Sequence, residues 1–318
     1  MALPKTVVTN SDLEKTVDTS DSWIVSRTGI RERRVLETGL SCSDLAVEAS
    51  AMALENAGFN PADLDLIIVS TVTPDYPTPS TACLVQAKLK ANRAAAFDIS
   101  AGCTGFIYGL AAAESFISSG LYRSALVIGA EVLSRVTDWQ DRSTCVLFGD
   151  GAGAVLLEKK TSSDNRGIVD FILGSDGQGA EELCIPGGGS KNPASEESIS
   201  KKLHSIKMNG NEIFKFAVRV VEDTMDELLE RHTLKPDQLD HLFLHQANER
   251  IIKHIQKRVG LPQEKIPLNL SRYGNTSSAS IPIALHEEVA AGRLNKNDLI
   301  ALVGFGSGLT WGGALIRW

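Results

Sequence analysis

Apolar residues in this chain fall into short runs that alternate with longer, helix-like stretches. Short apolar runs are typical of strands buried on both faces, whereas a helix shows a mixed pattern over about 10–12 residues or more. In the first half, strands are predicted at 64–71, 94–99, 124–130 and 152–158, and helices at 43–57, 81–89 and 104–119. In the second half, strands are predicted at 167–173, 239–245, 265–270, 299–303 and 314–318, and helices at 211–230, 249–259 and 277–290. This alternation predicts an α/β fold with mainly parallel sheets covered by helices on both faces.

The two halves share a local pattern. PADLDLIIV, which begins at Pro61, and PDQLDHLFL, which begins at Pro236, have the same proline, the same Leu-Asp pair and similar apolar spacing. The predicted strand, turn and helix around Cys103 also match those around Asn275. A duplication therefore predicts that Cys103 and Asn275 lie at corresponding helix starts, which pseudo-twofold symmetry would bring face to face. Chance similarity of two αβ units is the alternative.

The same comparison exposes a difference between the halves, which we take as residues 1–160 and 165–318. The second half begins with a strand-like segment well before Pro236, whereas too little chain precedes Pro61 for an equivalent strand. We therefore expect the first strand to be missing from a central place in the N-terminal sheet. We also expect the sequence to begin at an internal methionine or to be a shortened chain.

Charge and cysteine content narrow the class of protein. The 318 residues include 32 basic and 39 acidic side chains, and the net charge of −7 argues against bulk attraction to nucleic acid or to an anionic membrane. No apolar run is long enough to span a bilayer, and the start MALPKTVVTN does not resemble a signal peptide. Five cysteines without CxxC spacing indicate neither a disulfide framework nor a zinc site. A soluble, cytoplasmic protein is expected.

Cys103 is the first candidate for chemistry because it lies where a strand pattern turns into a helix pattern. Its neighbours Gly102 and Gly105 permit a sharp turn and the close approach of another molecule. The unpaired N–H groups of a helix start favour a thiolate, so this place suits a nucleophile. A buried structural cysteine is the alternative that this stretch leaves open.

His245 is a second candidate, at the end of the predicted strand 239–245. A histidine there can donate a hydrogen bond to an oxygen that acquires negative charge, or act as a base. The helix that follows carries basic side chains at helical spacing, which by itself indicates a solvated face. These side chains are Arg250, Lys253, His254 and Lys257.

Two glycine-rich motifs resemble nucleotide-binding loops only superficially. GFGSGLTWGG, from Gly304, and GDGAGA, from Gly149, are each followed by a strand-like run, whereas a dinucleotide-binding loop opens a long helix. The glycines after Gly304 are instead predicted to bring backbone N–H groups near a reacting carbonyl, as in an oxyanion hole.

Together with their surroundings, Cys103, His245 and Asn275 resemble the β-ketoacyl-acyl-carrier-protein synthase III family of thiolase-fold enzymes. The resemblance spans essentially the whole chain, through DTSDSWIVSRTGIRERR, FDISAGCTGF, DRSTCVLFGDGAGA, HQANERI, GNTSSAS and GFGSGLTWGGALIRW. It implies a duplicated thiolase-like fold with five layers, α/β/α/β/α, and two mixed, mainly parallel sheets.

The resemblance implies the initiating condensation of type II fatty acid synthesis. Cys103 would accept an acyl group from acyl-CoA, and the acyl-enzyme would condense with malonyl-acyl-carrier protein, releasing carbon dioxide and giving 3-ketoacyl-acyl-carrier protein. His245 and Asn275 would stabilise the enolate, and the backbone N–H groups of Cys103 and Ser307 would form the oxyanion hole. No metal or redox cofactor is implied, since acyl-CoA is a substrate.

Motif positions imply further binding residues. Coenzyme A would contact Trp23, Arg27, Arg142 and Asn248, with Trp23 and Arg142 flanking the adenine. A homodimer is implied, in which Thr78 of the second subunit would reach the far end of the acyl pocket. Acyl carrier protein would dock on Gln246, Ala247, Asn248, Glu249, Arg250, Lys253 and Lys257.

Other functions remain as alternatives. A related acyl-CoA condensing enzyme of secondary metabolism or of hydroxymethylglutaryl-CoA synthesis would use the same nucleophile. A thiolase is disfavoured because GNTSSAS supplies Asn275 where a thiolase has a second histidine. A noncatalytic acyl-binding subunit is disfavoured because Cys103 and His245 are also present.

Overall fold

The computed structural model describes residues 1–160 and 165–318, and its regular elements are as follows. The strands are β1 (Thr6–Thr9), β2 (Glu32–Val35), β3 (Leu66–Ser70), β4 (Ala95–Ile99), β5 (Ser124–Glu131), β6 (Gly151–Glu158), β7 (Gly167–Ser175), β8 (Leu183–Cys184), β9 (Lys207–Met208), β10 (His241–Leu244), β11 (Leu299–Gly306) and β12 (Thr310–Arg317). The helices are α1 (Asn10–Leu13), α2 (Asp21–Thr28), α3 (Cys42–Ala57), α4 (Thr81–Leu89), α5 (Gly105–Ser118), α6 (Glu196–Ser200), α7 (Gly210–Arg231), α8 (Glu249–Val259), α9 (Leu270–Tyr273) and α10 (Ser280–Ala290). No helix in these ranges is both long and apolar enough to cross a lipid bilayer.

Two four-stranded sheets form the framework. The N-terminal sheet has the order β4-β3-β5-β6, in which β3 is parallel to β4 and β5 while β6 is antiparallel to β5. The C-terminal sheet has the order β10-β11-β12-β7, in which β10 is parallel to β11 and β12 runs against both of its neighbours. Both sheets are therefore mixed, as predicted. Parallel pairing predominates in the N-terminal sheet, whereas two of the three pairings in the C-terminal sheet are antiparallel.

Alternate side chains of the N-terminal sheet contact two different layers of helices, one on each face. Ile67 and Val69 of β3 belong to the apolar cluster formed with α3 and α4. Leu66 and Ile68 of the same strand belong to a different cluster, formed with α5 and α10. Because successive side chains of a strand point to opposite faces, this sheet is covered by helices on both sides.

The C-terminal sheet completes the layers in the same manner. Ile300 and Leu302 of β11 join the cluster that contains α5 and α10. Leu299, Ala301 and Val303 join the cluster built on α7 and α8. The order of layers is thus α3/α4, N-terminal sheet, α5/α10, C-terminal sheet and α7/α8, which confirms the predicted five-layer fold.

The local correspondence between the halves extends to hydrogen bonds. The repeated proline opens a 3₁₀ turn in each half, at Pro61–Asp63 and Pro236–Gln238. The aspartate of each Leu-Asp pair then accepts from the first residue of a neighbouring strand: Asp65 Oδ2 from the Ser124 N–H at 3.2 Å and Asp240 Oδ2 from the Leu299 N–H at 2.8 Å. The same local device therefore aligns strands in both sheets.

The predicted strand at 265–270 is wrong. This stretch contains the 3₁₀ turn Gln263–Lys265 and then runs into α9. Its backbone is held by a side chain, because Gln246 Nε2 donates to the Pro267 carbonyl at 3.2 Å and Gln246 Oε1 accepts from the Asn269 N–H at 3.1 Å. The side-chain amide thus satisfies groups that a neighbouring strand would otherwise pair.

The expected central gap in the N-terminal sheet is also wrong. Its four strands are contiguous, and β6 lies at one edge, whereas the corresponding β12 is followed by β7. Among the described residues, the outer side of β6 is bridged by Ala2, which pairs with Ala152. A cavity of about 740 Å³, lined in part by Leu156, Phe106 and Leu110, lies beside this edge.

Candidate active site

Cys103 lies in a 3₁₀ turn, Gly102–Thr104, that leads directly into α5. Gly102 has a φ of +55°, which side chains disfavour, and a Cβ at this position would lie 2.8 Å from the Ser307 nitrogen. Glycine is therefore required here for two reasons, the backbone conformation and the close approach of the loop around Ser307.

The glycine-rich loop between β11 and β12 lies directly against the nucleophile turn. A Cβ on Gly306 would lie 2.6 Å from the Cys103 nitrogen. Thr310 Oγ1 is 3.0 Å from both the Ala101 carbonyl and the Ser307 carbonyl, so its hydroxyl ties the loop to the turn. The backbones that carry the Cys103 and Ser307 N–H groups thus lie side by side.

The ligand-free site keeps Cys103 protonated. Burial raises the pKa of its thiol to about 12, and a negative charge on the neighbouring Glu131 would act in the same direction. A hydrogen bond with the Ser277 side chain and the backbone N–H of Cys103 itself oppose this shift. Burial therefore raises the thiol pKa by more than the helix start was expected to lower it.

His245 follows β10 and is buried with Nδ1 2.7 Å from Ser280 Oγ. The Gln246 N–H donates to the same oxygen at 3.4 Å, and the Ser280 hydroxyl has no other acceptor among the described residues. The Ser280 hydroxyl therefore donates its proton to His245 Nδ1. Because Nδ1 accepts, the ring hydrogen lies on Nε2. Burial lowers the pKa of His245 to about 3, so the ring is a neutral donor.

The Asn275 amide is oriented by its own turn. Its Oδ1 accepts from the Ser277 N–H at 2.8 Å, which leaves Nδ2 as the group that can donate to a ligand. Its backbone is fixed beside the chain at 147–149, through hydrogen bonds of 2.8 Å to the Leu147 carbonyl and 3.0 Å from the Gly149 N–H. Gly274, just before it, has a φ of +66° and so matches Gly102 before Cys103.

One short segment links the three candidate catalytic residues. Ser277 contacts both Cys103 and Asn275, and Ser280 contacts His245. The segment Ser277–Ser280 therefore connects Cys103 and Asn275, which the repeat predicted to lie face to face, with His245, which was a separate candidate. The two serines were missed by sequence reasoning, although the serine-rich motif GNTSSAS was the signal that marked them.

The residues expected to bind coenzyme A share one surface between α2 and α8. The Arg142 guanidinium lies over the Trp23 ring, 5.0 Å from its centroid, and also donates to the Asp18 carbonyl at 2.6 Å. Arg27 is exposed near the end of α2, and its carbonyl accepts from Asn248 Nδ2 at 3.0 Å. Asn248 is also the N-cap of α8, so part of its hydrogen-bonding capacity is structural.

The exposed face of α8 carries the predicted basic residues. Arg250, Lys253 and Lys257 are all exposed. The Arg250 guanidinium lies 5.6 Å from the centre of the Phe214 ring, and Lys253 Nζ is 2.7 Å from Glu249 Oε1. The positive charge is therefore partly neutralised near the middle of the helix.

Gln246 does not belong to this exposed surface, which corrects its assignment to carrier-protein docking. It is 1% exposed, and its amide bonds to the Leu244 and Pro267 carbonyls and the Asn269 N–H. The neighbouring Ala247 is only half-buried. The surface formed by this segment thus begins after Gln246.

Thr78 lies elsewhere, exposed on the loop between β3 and α4. In the single chain it is a surface residue and not part of the buried centre around Cys103. Within residues 1–160 and 165–318, no group of three or more His, Cys, Asp or Glu side chains is placed to hold a metal ion.

Two family models match the chain. The model described as 3-oxoacyl-[acyl-carrier-protein (ACP)] synthase III matches residues 97–177, and the model of its C-terminal region matches residues 229–318. These ranges contain Cys103, His245 and Asn275.

Individual relatives cover the whole chain. A β-ketoacyl-[acyl-carrier-protein] synthase III of Caldanaerobacter subterraneus subsp. tengcongensis is 55% identical over 99% of this chain and 95% of its own length. The crystal structure of a 3-oxoacyl-[acyl-carrier-protein] synthase III from Aquifex aeolicus is 48% identical, with a TM-score of 0.91 over 100% of this chain and 97% of that one. The priming β-ketosynthase of the R1128 polyketide pathway is 35% identical, with a TM-score of 0.90 over 99% of this chain and 93% of that one.

Alkylation of Cys103 by iodoacetamide should accelerate steadily with pH in the ligand-free protein. Because burial raises the pKa to about 12, the thiolate fraction should grow about tenfold per pH unit between about pH 7 and pH 9. Mass spectrometry of the Cys103 peptide measures the rate, with a small free thiol as the reference that levels off near its pKa of about 8.5. A plateau for Cys103 below that of the reference would contradict the buried thiol.

Proposed function

The chain belongs to the 3-oxoacyl-acyl-carrier-protein synthase III family, and on that premise we propose that Cys103, His245 and Asn275 catalyse its reaction. The family reaction is the initiating condensation of fatty acid synthesis, and the protein is an acyltransferase. The observation that carries the residue assignment is the segment Ser277–Ser280, whose backbone and hydroxyl groups contact all three side chains.

In the first half-reaction, Cys103 Sγ attacks the carbonyl carbon of acyl-CoA. The bond from that carbon to the CoA sulfur breaks, and the thiol proton leaves with CoA as CoASH. The carbonyl oxygen becomes negative in the tetrahedral intermediate, where the N–H groups of Cys103 and Ser307 stabilise it. Since the resting thiol is protonated, thiol deprotonation is coupled to substrate binding and attack.

In the second half-reaction, malonyl-acyl-carrier protein loses carbon dioxide and its thioester oxygen gains negative charge. His245 Nε2 and Asn275 Nδ2 donate to that oxygen and stabilise the enolate. The enolate carbon attacks the acyl-Cys103 carbonyl, and the Cys103 sulfur leaves and is reprotonated. A neutral His245 suits this step because a donor is required and no proton needs to be removed.

Coenzyme A is proposed to lie along Trp23, Arg27, Arg142 and Asn248. Arg142 now stacks on Trp23 at 5.0 Å, whereas a ring inserted between them needs two contact spacings of about 3.5–4.0 Å each. Arg142 therefore moves outward when adenine binds, and its charge and that of Arg27 meet phosphate groups.

Acyl carrier protein is proposed to dock on the exposed start and face of α8. Ala247, Asn248, Glu249, Arg250, Lys253 and Lys257 form this surface, and its three cations match the acidic partner that the family uses. Charge complementarity of this kind acts on association more than on chemistry.

The assembly is proposed to be a cytoplasmic homodimer of two-part subunits, with halves 1–160 and 165–318. The matching turns and aspartate bonds of the two halves support the division. Support for the dimer comes from β4, which is an edge strand of the N-terminal sheet among the described residues and can be paired by a second copy. Thr78 then reaches the acyl pocket across the interface.

A second candidate is favoured by one comparison. The R1128 priming β-ketosynthase shares the fold and 35% of the sequence. A priming condensation for polyketide assembly would use the same Cys103 and differ in the starter and carrier protein that it accepts.

Single substitutions should separate the two half-reactions. Cys103→Ala is expected to abolish acylation, whereas His245→Ala and Asn275→Ala should retain acylation but lose about 10²–10³-fold in condensation, as when an oxyanion donor is removed. Radiolabelled acyl transfer measures the first step and carbon dioxide release the second, with the exposed His204→Ala as control. Equal loss of acylation in all three folded variants would contradict these roles.

Arg250→Glu should weaken the use of malonyl-acyl-carrier protein and spare acylation by acyl-CoA. Reversal of a charge on the docking surface is expected to lower kcat/KM for the carrier substrate by about tenfold, and added salt should reduce the difference. The exposed Lys296→Glu changes net charge equally on another surface and serves as the matched control. The docking assignment fails if both half-reactions respond equally.

Thr78→Phe should shift starter preference toward acetyl-CoA. Some relatives have phenylalanine there, and threonine leaves room for longer chains, each buried methylene contributing about 0.8 kcal/mol. The measurement is kcat/KM for acetyl-CoA against longer acyl-CoAs, with Thr78→Ser as the small control. An acetyl-only wild type, or an unchanged ratio in Thr78→Phe, would remove Thr78 from the pocket.

A further inference from the structure

Glu131, the last residue of β5, is a fully buried acidic side chain at the joint between the two halves. It is 0% exposed. Its Oε2 faces the N-terminal half and accepts hydrogen bonds from the Val72 N–H at 3.1 Å, the Thr73 hydroxyl at 2.8 Å and the Thr71 hydroxyl at 3.3 Å. This oxygen acts only as an acceptor.

The other oxygen faces the C-terminal half and the catalytic turn. Glu131 Oε1 lies 3.0 Å from Ser277 Oγ and 2.8 Å from Ser278 Oγ. The Ser277 side chain also acts on the Cys103 thiol, whose pKa it lowers against the effect of burial. One carboxyl group therefore connects the end of β5 to the turn that contacts the nucleophile.

The Ser278 hydroxyl contacts two oxygens but has a single proton. Ser278 Oγ is 2.8 Å from the Ser70 carbonyl and 2.8 Å from Glu131 Oε1. The Ser278 hydroxyl has one proton, and the Ser70 carbonyl can only accept it. When the Ser278 proton goes to that carbonyl, the contact between Ser278 and Glu131 is a hydrogen bond only if Glu131 Oε1 supplies a proton.

No cationic side chain among the described residues compensates a negative charge on Glu131, and only hydrogen bonds oppose the effect of burial. No ion pair of Glu131 occurs in the described parts of the chain, and the ionisable groups that face it are the Cys42 and Cys103 thiols. Burial raises the pKa of Glu131. This favours the protonated carboxyl, as does the proton count. An anion here would also oppose ionisation of Cys103.

We infer that Glu131 is a positioning residue that works as a neutral carboxylic acid, whose one Oε1 proton is shared between Ser278 and Ser277 and leaves the Ser277 hydroxyl free to donate to Cys103. This inference deepens the proposed function, since it rests on Cys103 as the nucleophile. Glu131 does not take the Cys103 proton in this arrangement, because Oε1 already carries one. The competing arrangement is an anionic Glu131 that accepts the Cys103 proton through Ser277.

Glu131→Gln separates these two arrangements. The amide oxygen can replace Oε2 as acceptor, and the NH₂ group can replace Oε1 and donate to both serines. With a neutral acid, the rate of Cys103 alkylation by iodoacetamide and its pH profile should stay within about threefold of the wild type. With an anionic base, the substitution removes proton acceptance, and acylation should fall by about a hundredfold or more.

Glu131→Ala is the companion variant, because it removes the support of Ser277 and Ser278. Its Cys103 alkylation profile should move to higher pH, and Glu131→Gln should restore it. An unchanged profile in Glu131→Ala, or a Glu131→Gln variant as impaired as Glu131→Ala, would overturn the positioning role. Alkylation needs no acyl-CoA, so this readout is independent of the proposed reaction.

Infrared spectroscopy tests the protonation state even if the variants fail to fold. Wild-type protein near neutral pH should show a carboxylic acid C=O band, and folded Glu131→Gln should lose intensity in that band. The absence of any such band from the wild type would overturn the inference.

Discussion

The active centre depends on the close approach of two helix-start turns, one from each half of the chain. The C-terminal turn packs closely on the N-terminal half: a Cβ on Gly129 of β5 would lie 2.3 Å from the Ser278 carbonyl oxygen, and one on Gly105, at the start of α5, would be in ordinary contact with the Ser278 Cβ at 3.7 Å. Because α5 and α10 follow these turns and form the middle layer, the arrangement of both sheets is fixed by the same contact. The proposed catalytic residues thus lie near one another because the two similar halves pack at these turns.

Burial sets the chemistry of this centre. In water, a thiol titrates near pH ~8.5 and an imidazole near pH ~6.5, but here desolvation keeps both Cys103 and His245 uncharged. What remains are oriented donors, His245 Nε2 and Asn275 Nδ2, each fixed by a hydrogen bond on its other side. Such preorganised donors are suited to charge that develops only during the reaction.

The sequence predicted much of this arrangement because the relevant signals are local. Apolar runs located β3, β5 and β11, and the repeated Leu-Asp pattern placed Cys103 and Asn275 at equivalent positions. Two predictions were wrong for the same reason, the strand at 265–270 and the docking role of Gln246. The buried Gln246 side chain bonds to the backbone of that segment, where a neighbouring strand would otherwise pair with it. Glu131 was also missed, because its partners come from both halves and no short motif records such a contact.

The central claim is that Cys103 holds the acyl group between two half-reactions, and intact-protein mass spectrometry tests it most directly. Incubation with acyl-CoA should add the mass of one acyl group, located on the Cys103 peptide, and malonyl-acyl-carrier protein should then remove it while 3-ketoacyl-acyl-carrier protein appears. A protein that forms no adduct at Cys103, or an adduct that malonyl-acyl-carrier protein does not discharge, would contradict the account.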